Sequence, residues 1–232
     1  NDYKTLSNSS REVSSLRDSL VKAQERVRQF NHREEIFKQP PTQYEQLADL
    51  IKQFEPYNKM WDLAFEFDNE LQEWCTGQFI KLTYGTIEKR VEQVNRETFN
   101  LKRIFQETSE DAMKVITVME EKIREFREQM PLIELLTTEA MLRKPQHWVD
   151  VFEACEMPKT ELTELSLQKL VEAGFLGHRE ELEAISKRAE NQWNIDKKLS
   201  GITDKIKQLQ LELMPHKTGI HLIKTVEEIQ QF

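Results

Sequence analysis

The chain has 232 residues, and 33 Lys and Arg against 41 Asp and Glu leave a net charge of −8. Hydrophobic residues make up 38% and charged residues 32%, with only six Gly and seven Pro. That composition excludes a many-turned β fold and suits long helices that each bury one stripe. The acidic balance argues against a nucleic-acid surface. No apolar run has membrane-spanning length. Cys75 and Cys155 lie far apart, give no disulfide framework and suit a reducing compartment. The first residue is Asn1, and the chain is read as a piece of a longer polypeptide.

The first segment places Val13, Leu16, Leu20, Ala23, Val27, Phe30 and Phe37 at alternating steps of three and four, with Glu34 interrupting the run. This is the a/d seam of one long helix. Pro40 and Pro41 stop it, and Thr42 with Glu45 has the spacing of a capping box for the next helix. That second helix carries Leu47, Leu50, Ile51, Phe54, Trp61, Phe65 and Trp74, and Pro56 predicts a kink or break within it. The stretches around Gly77 and Gly85 read as a connection. A third helix follows with Ile87, Val91, Val94, Thr98, Leu101 and Phe105, and a fourth with Ala112, Val115, Met119, Ile123, Phe126 and Met130.

Pro131 is expected to end the fourth helix, with LIELLTTEAML beginning another. Pro145 suits the first position of a helix holding Trp148, Val151 and Phe152. Ser166 can cap LQKLVEAGF, and Gly174 and Gly177 can end it. The last long helical pattern runs from Arg179 to Leu209. Beyond it the period drops to two: Leu209, Leu211 and Leu213 alternate with polar residues, as do Ile220 and Leu222, around a turn with Pro215 and Gly219. The pattern predicts an all-α fold, an elongated array of antiparallel helix pairs with a short two-stranded β-hairpin near its C-terminal end. Four stretches are expected: a heptad-patterned helix over 1–39, a helical bundle over 40–130, a second bundle over 131–208, and the hairpin with the start of a further helix over 209–232. In the hairpin, Leu209, Leu211 and Leu213 should face Ile220 and Leu222.

No phosphate-binding loop, dinucleotide fingerprint, HExxH or CxxC pattern is present. His32, His147, His178, His216 and His221 are scattered, and the last two lack a further ligand nearby. No catalytic, cofactor-binding or metal site is therefore assigned. The residues singled out are packing anchors, Phe30, Trp61, Trp74, Trp148 and Trp193, and candidate hinges, Pro40, Pro41, Gly77 and Gly177.

The segment FNHREEIFKQPPTQYEQLADLIKQFEPYNKMWDLAFEF, Phe30 to Phe67, resembles the start of the second N-terminal region of dynein heavy chains. Phe30, Asn31, Arg33 and Glu34 match its F-N-x-R-E pattern. Pro41, Thr42 and Tyr44 match its break, and Pro56, Tyr57, Met60 and Trp61 its next element. The likeness continues through MPLIELL (Met130 to Leu136), QHW (Gln146 to Trp148) and LELMPHKTGIHLIKTVEEIQQF, and runs from Val21 to Phe232.

The resemblance implies an axonemal heavy chain, in the cytoskeleton of a cilium or flagellum. It implies a tail-to-linker segment without active-site chemistry. Such a segment would pass the ATP-driven change of an AAA+ ring to the axoneme- or cargo-bound tail of a microtubule motor. ATP and Mg would belong to the parent chain, outside these residues. Partners would be the rest of the heavy chain and other heavy, intermediate or light chains, with microtubules reached only through the parent, and neither nucleic acid nor membrane. Two other classes are weighed. A spectrin-like or coiled-coil scaffold should show a repeat of fixed length, which is not visible. A helical hydrolase would need convergent polar groups in a pocket.

Overall fold

The computed structural model describes residues 2–208, 213–215, 218, 219 and 221–223, and side chains chiefly over residues 11–207. Among these are eight α-helices: α1 (Asp2–Ile36), α2 (Glu45–Thr76), α3 (Tyr84–Phe105), α4 (Glu110–Leu136), α5 (Glu139–Arg143), α6 (Pro145–Ala154), α7 (Leu167–Glu172) and α8 (Arg179–Gln208). Two three-residue strands follow, β1 (Leu213–Pro215) and β2 (His221–Ile223). The class is all-α. Contacts group the chain into two compact units, Asn1–Thr137 with Thr160–Gly177, and Thr138–Lys159 with His178–Phe232.

In the first unit α2 packs on α1, α3, α4 and α7. Its apolar residues change direction along its length. Leu47, Ile51 and Phe54 are half-buried in the half that runs beside α1, whereas Met60, Leu63, Ala64 and Phe67 are buried outright. The α3 seam is the one its spacing predicts: Ile87, Val91, Val94, Thr98, Leu101 and Phe105 are all buried. These residues meet α4, which buries Ala112, Ile116, Met119, Ile123, Phe126 and Met130. Val115, expected on that seam, is half-buried, and Ile116 takes the inward position one residue on.

One expectation about proline is corrected, and the break that is one of two outcomes expected at Pro56 is absent. Pro131 does not end α4. The helix runs on to Leu136, so the boundary expected after Met130 falls inside it. Proline removes one backbone donor and crowds the preceding turn. Leu132, Ile133 and Leu136, all at or below 1% exposure, offset that cost by burial. Likewise α2 is continuous through Pro56, with no break. The capping box is corrected too. The N-cap of α2 is Tyr44, without a side-chain cap bond, and Thr42 is engaged elsewhere. Other caps fall where cap chemistry places them. The hydroxyls of Ser109, Thr138 and Ser166 accept from the amides of Ala112, Met141 and Lys169, each at 3.3 Å.

In the second unit α5 and α6 both pack on α8. Pro145 opens α6, where its missing N–H costs nothing. Met141, Trp148, Val151, Phe152, Leu182, Ile185 and Ala189 are buried there. β1 and β2 pair antiparallel, Leu213 with Ile223, Met214 with Leu222 and Pro215 with His221. The expected facing of Leu213 and Leu222 is thus off by one position. Met214 and Ile223 are apolar as well, so alternation alone leaves the register open to a one-residue slip. Leu209, Leu211, His216 and Ile220 lie outside the described residues.

Phe67 of α2 is 1% exposed and sits edge-on to Trp74, which in turn meets Phe126 of α4. Phe67→Ala should lower unfolding stability by about 3–5 kcal/mol, the usual cost of emptying a buried phenylalanine site. Urea unfolding of the 232-residue chain followed by circular dichroism measures this. A loss under about 1 kcal/mol would mean that the site collapses freely and is no core position.

Candidate functional site

The sequence anchors differ in how far they are covered. Trp148 is 1% exposed and stacks at a tilt with Phe152, 5.9 Å between ring centroids. Trp74 is half-buried, yet it joins α2 to α4 through Phe126 at 5.2 Å and sits edge-on to Phe67 at 6.4 Å. Trp193 is half-buried on α8, with the Arg143 guanidinium of α5 stacked 4.1 Å over its ring. Trp61 is half-buried in α2. Phe30 is 51% exposed and contributes to no core.

The side chains that tie elements together are largely ones that sequence reasoning passed over as solvated charge. Arg17 of α1 reaches Asp62 of α2 at 3.3 Å. Arg90 of α3 donates its Nε–H to Glu70 at 2.9 Å and an Nη–H to Glu66 at 3.2 Å. Lys122 of α4 binds Asp68, and Lys102 of α3 binds Glu120 of α4 at 2.8 Å. Asp62, Glu66 and Glu70 stand four residues apart on one side of α2. That spacing, beside a half-buried apolar stripe, was the available signal. Arg90 and Lys122 are only 22% and 29% exposed, so these pairs are shielded more than open surface pairs. The hydrogen bond to Glu70 holds the Arg90 guanidinium even more firmly charged, against the pull of its burial. Aromatic contacts run in parallel: Tyr57 of α2 meets Phe105 of α3 at 4.7 Å.

The α1–α2 connection has its own fastening. Glu34 interrupts the heptad seam, and its carboxylate accepts from the Thr42 amide at 2.7 Å and the Thr42 hydroxyl at 2.6 Å. Lys38 closes α1 with a φ of 59°, and the exposed Pro40 and Pro41 lie inside the span that Glu34 bridges. A groove of about 470 Å³ runs beside this turn, lined by Val27, Pro41, Tyr44, Leu47 and Ile51. Asn31 lines it too, its Oδ1 buried without a hydrogen-bond partner. Gly77 caps the other end of α2, its amide donating to the Glu73 carbonyl at 2.8 Å. A β-carbon there would stand 2.5 Å from that carbonyl oxygen, so the position requires glycine or a local shift. Gly177 has open space around it.

Burial pushes the Cys75 thiol up. Burial, aided by Glu181, pushes Cys155 up to about 11, away from the thiolate that a nucleophile needs. His147 is buried on α6, and His178 pairs with Glu181 at 2.6 Å. No three His, Cys, Asp or Glu among the described residues are placed to hold a metal ion. No helix among the described residues is long and apolar enough to cross a membrane.

Helices joined to one another by aromatic contacts and by ion pairs, several of them half-buried, define an all-α helical assembly. Its particular family follows from comparison. Residues 47–232 match the model of the family described as Dynein heavy chain, N-terminal region 2. The chain belongs to that family. Similar proteins include Dynein axonemal heavy chain 12 of Rattus norvegicus, 23% identical over 227 residues, covering 94% of this chain and 7% of that protein. Dynein axonemal heavy chain 2 of Homo sapiens is 27% identical over 224 residues, covering 95% of this chain and 5% of its own length. Dynein axonemal heavy chain 1 of Homo sapiens is 22% identical over 221 residues, with the same two shares. The chain thus spans a small fraction of the relatives it matches.

The Glu34 carboxyl is held below its ordinary value, first by the Thr42 hydroxyl and then by the Thr42 amide. A lowered carboxyl stabilises the folded turn above its ordinary pKa, and that contribution is lost as pH falls through the lowered value. The Thr42 amide resonance should therefore titrate with a midpoint below that of a free glutamate. In Glu34→Gln the titration should vanish and the amide should exchange faster. A Thr42 amide that is insensitive to both acid and the substitution would remove the tether from this account.

Proposed function

We propose that this chain is a non-catalytic mechanical segment of an axonemal dynein heavy chain, working in the axoneme of a cilium or flagellum. In this reading it carries the ATP-driven change of an AAA+ ring to the axoneme-bound tail. The parent chain holds the ATP and Mg sites and reaches the microtubule. Partners are the rest of the same heavy chain and other dynein heavy, intermediate or light chains. Family membership and the relatives' names support the setting.

One observation carries the mechanical part: α2 is braced to α1, α3 and α4 by Asp62, Asp68, Glu66 and Glu70, and by Tyr57 and Trp74. A helix held on several sides cannot slide or swing without breaking packed contacts, and densely packed interiors pass strain on. Bending is then left to the connections, at Pro40 and Pro41, Gly77 and Gly177. The β1–β2 pair, too small to be stable alone, serves as the hand-over to linker residues that follow.

The test is mechanical. A flexible Gly/Ser insertion between Phe37 and Gln43 of the full heavy chain should slow microtubule gliding and leave ATP turnover in place, since a flexible coil does not hold direction. The 232-residue chain alone should hydrolyse no ATP. Unchanged gliding, or turnover by the isolated chain that a point substitution within it abolishes, contradicts the proposal.

A further inference from the structure

We propose that residues 224–232 return along the last three turns of α8 and cover its exposed apolar row with a short amphipathic helix. The row is Ile195, Leu199, Ile202 and Ile206, exposed by 57%, 55%, 40% and 57%. These are the only apolar side chains between Asn194 and Lys207. Their steps of four, three and four keep them on one face.

That face is not the one α8 uses in its first half. Leu182, Ile185 and Ala189 are buried where α5 and α6 pack on α8. They lie about 100° round the helix from the exposed row. Arg143 over Trp193 and Lys144 on Asp196 close that packing. From Lys197 to Lys207 every residue is exposed. Three turns with Gly201 in their middle are marginal in water by themselves. A row of four aliphatic side chains gains stability by being covered.

Topology and sequence select the occupant. β1 begins five residues after Gln208, and the pairing of Leu213 with Ile223 sets the end of β2 beside the start of β1, about 5 Å away. The chain that left α8 is thus brought back to the strand end that follows α8. Residues 224–232, KTVEEIQQF, lie outside the described residues. In their sequence Thr225 and Glu228 have the spacing of a capping box. Val226, Ile229 and Phe232 recur every third residue, on one side of the helix that box would open. Val226 to Phe232 and Leu199 to Ile206 each span about 10 Å of helix. Lys205 and Lys207 border the row on opposite edges beside Ile206, where an antiparallel helix would bring Glu228. A second copy of α8 fits less well, because two-fold antiparallel pairing sets the flank of Lys198 and Lys205 against itself. The covalent tether also favours the chain's own segment over a free partner.

Amide hydrogen exchange of the 232-residue chain is the test. Truncation after Lys224 should speed exchange of the amides of residues 199–207 by about tenfold or more, as expected when at least one buried aliphatic side chain is uncovered. Ile202→Ser and Ile229→Ser should each act in the same direction, and the two together should add little to either, as for residues in one contact. Ile and Ser have similar helix propensities, so the substitution in α8 leaves its intrinsic stability nearly unchanged. Gln231→Ser, on the far side of the docked helix, should have no effect. Equal exchange at residues 199–207 in the intact and truncated chains overturns the proposal and gives the row to another polypeptide. Effects of the two isoleucine substitutions that add in full overturn it too. So does protection that rises with chain concentration alongside a dimer in sedimentation, which assigns the row to a second copy.

Discussion

The joining of α1, α3, α4 and α7 into the first unit rests on one helix, α2, being claimed from several directions. The N-terminal half of α2 gives Leu47, Ile51 and Phe54 to its pairing with α1, and its C-terminal half gives Met60, Leu63, Ala64 and Phe67 to the interior. Apolar burial supplies most of the holding energy, at roughly 1.5–3 kcal/mol for each large side chain. Ion pairs add less each, but they are directional. The half-buried pairs of Asp68 and Glu70, with the more exposed ones of Asp62 and Glu66, therefore help specify which face of α2 meets which neighbour, while the aromatic pairs make those meetings costly to undo. The result is a helix with little freedom to rotate or slide.

Much of this was legible in the sequence, and the reasons are specific. The α3 seam could be read residue by residue because α3 offers one apolar stripe to one main neighbour, α4. The α4 seam slipped at Val115 because Val115 and Ile116 are both apolar and the pattern does not choose between them. Pro131 misled because its local cost is readable, whereas the burial of Leu132, Ile133 and Leu136 that offsets it is tertiary. Thr42 has a capping residue's spacing from Glu45, yet a carboxylate eight residues upstream competes for both its donors and wins. The ion pairs were hidden for a similar reason. A carboxylate on a charged helix looks solvated until its long-range partner is known, and Arg90 lies 20 residues from Glu70.

Phe30 shows the other direction of error. Its place in a strict heptad suggested a core anchor, and in the structure it stands half out of the α1–α2 hairpin. A regular seam records that a partner surface is required, but not how much of that surface one neighbouring helix supplies. Among the titratable groups, Arg90, Lys122, Asp68 and Glu70 are half-buried in joints between helices, and both thiols are pushed toward their protonated forms.

Native-state hydrogen exchange on the 232-residue chain tests the central claim most directly. If α2 is the shared brace, its amides from Met60 to Trp74 should be among the slowest in the chain. They should also open together with those of α3 and α4, with the same dependence on denaturant. Opening of this half of α2 by small local fluctuations, while α3 and α4 stay protected, would contradict the account.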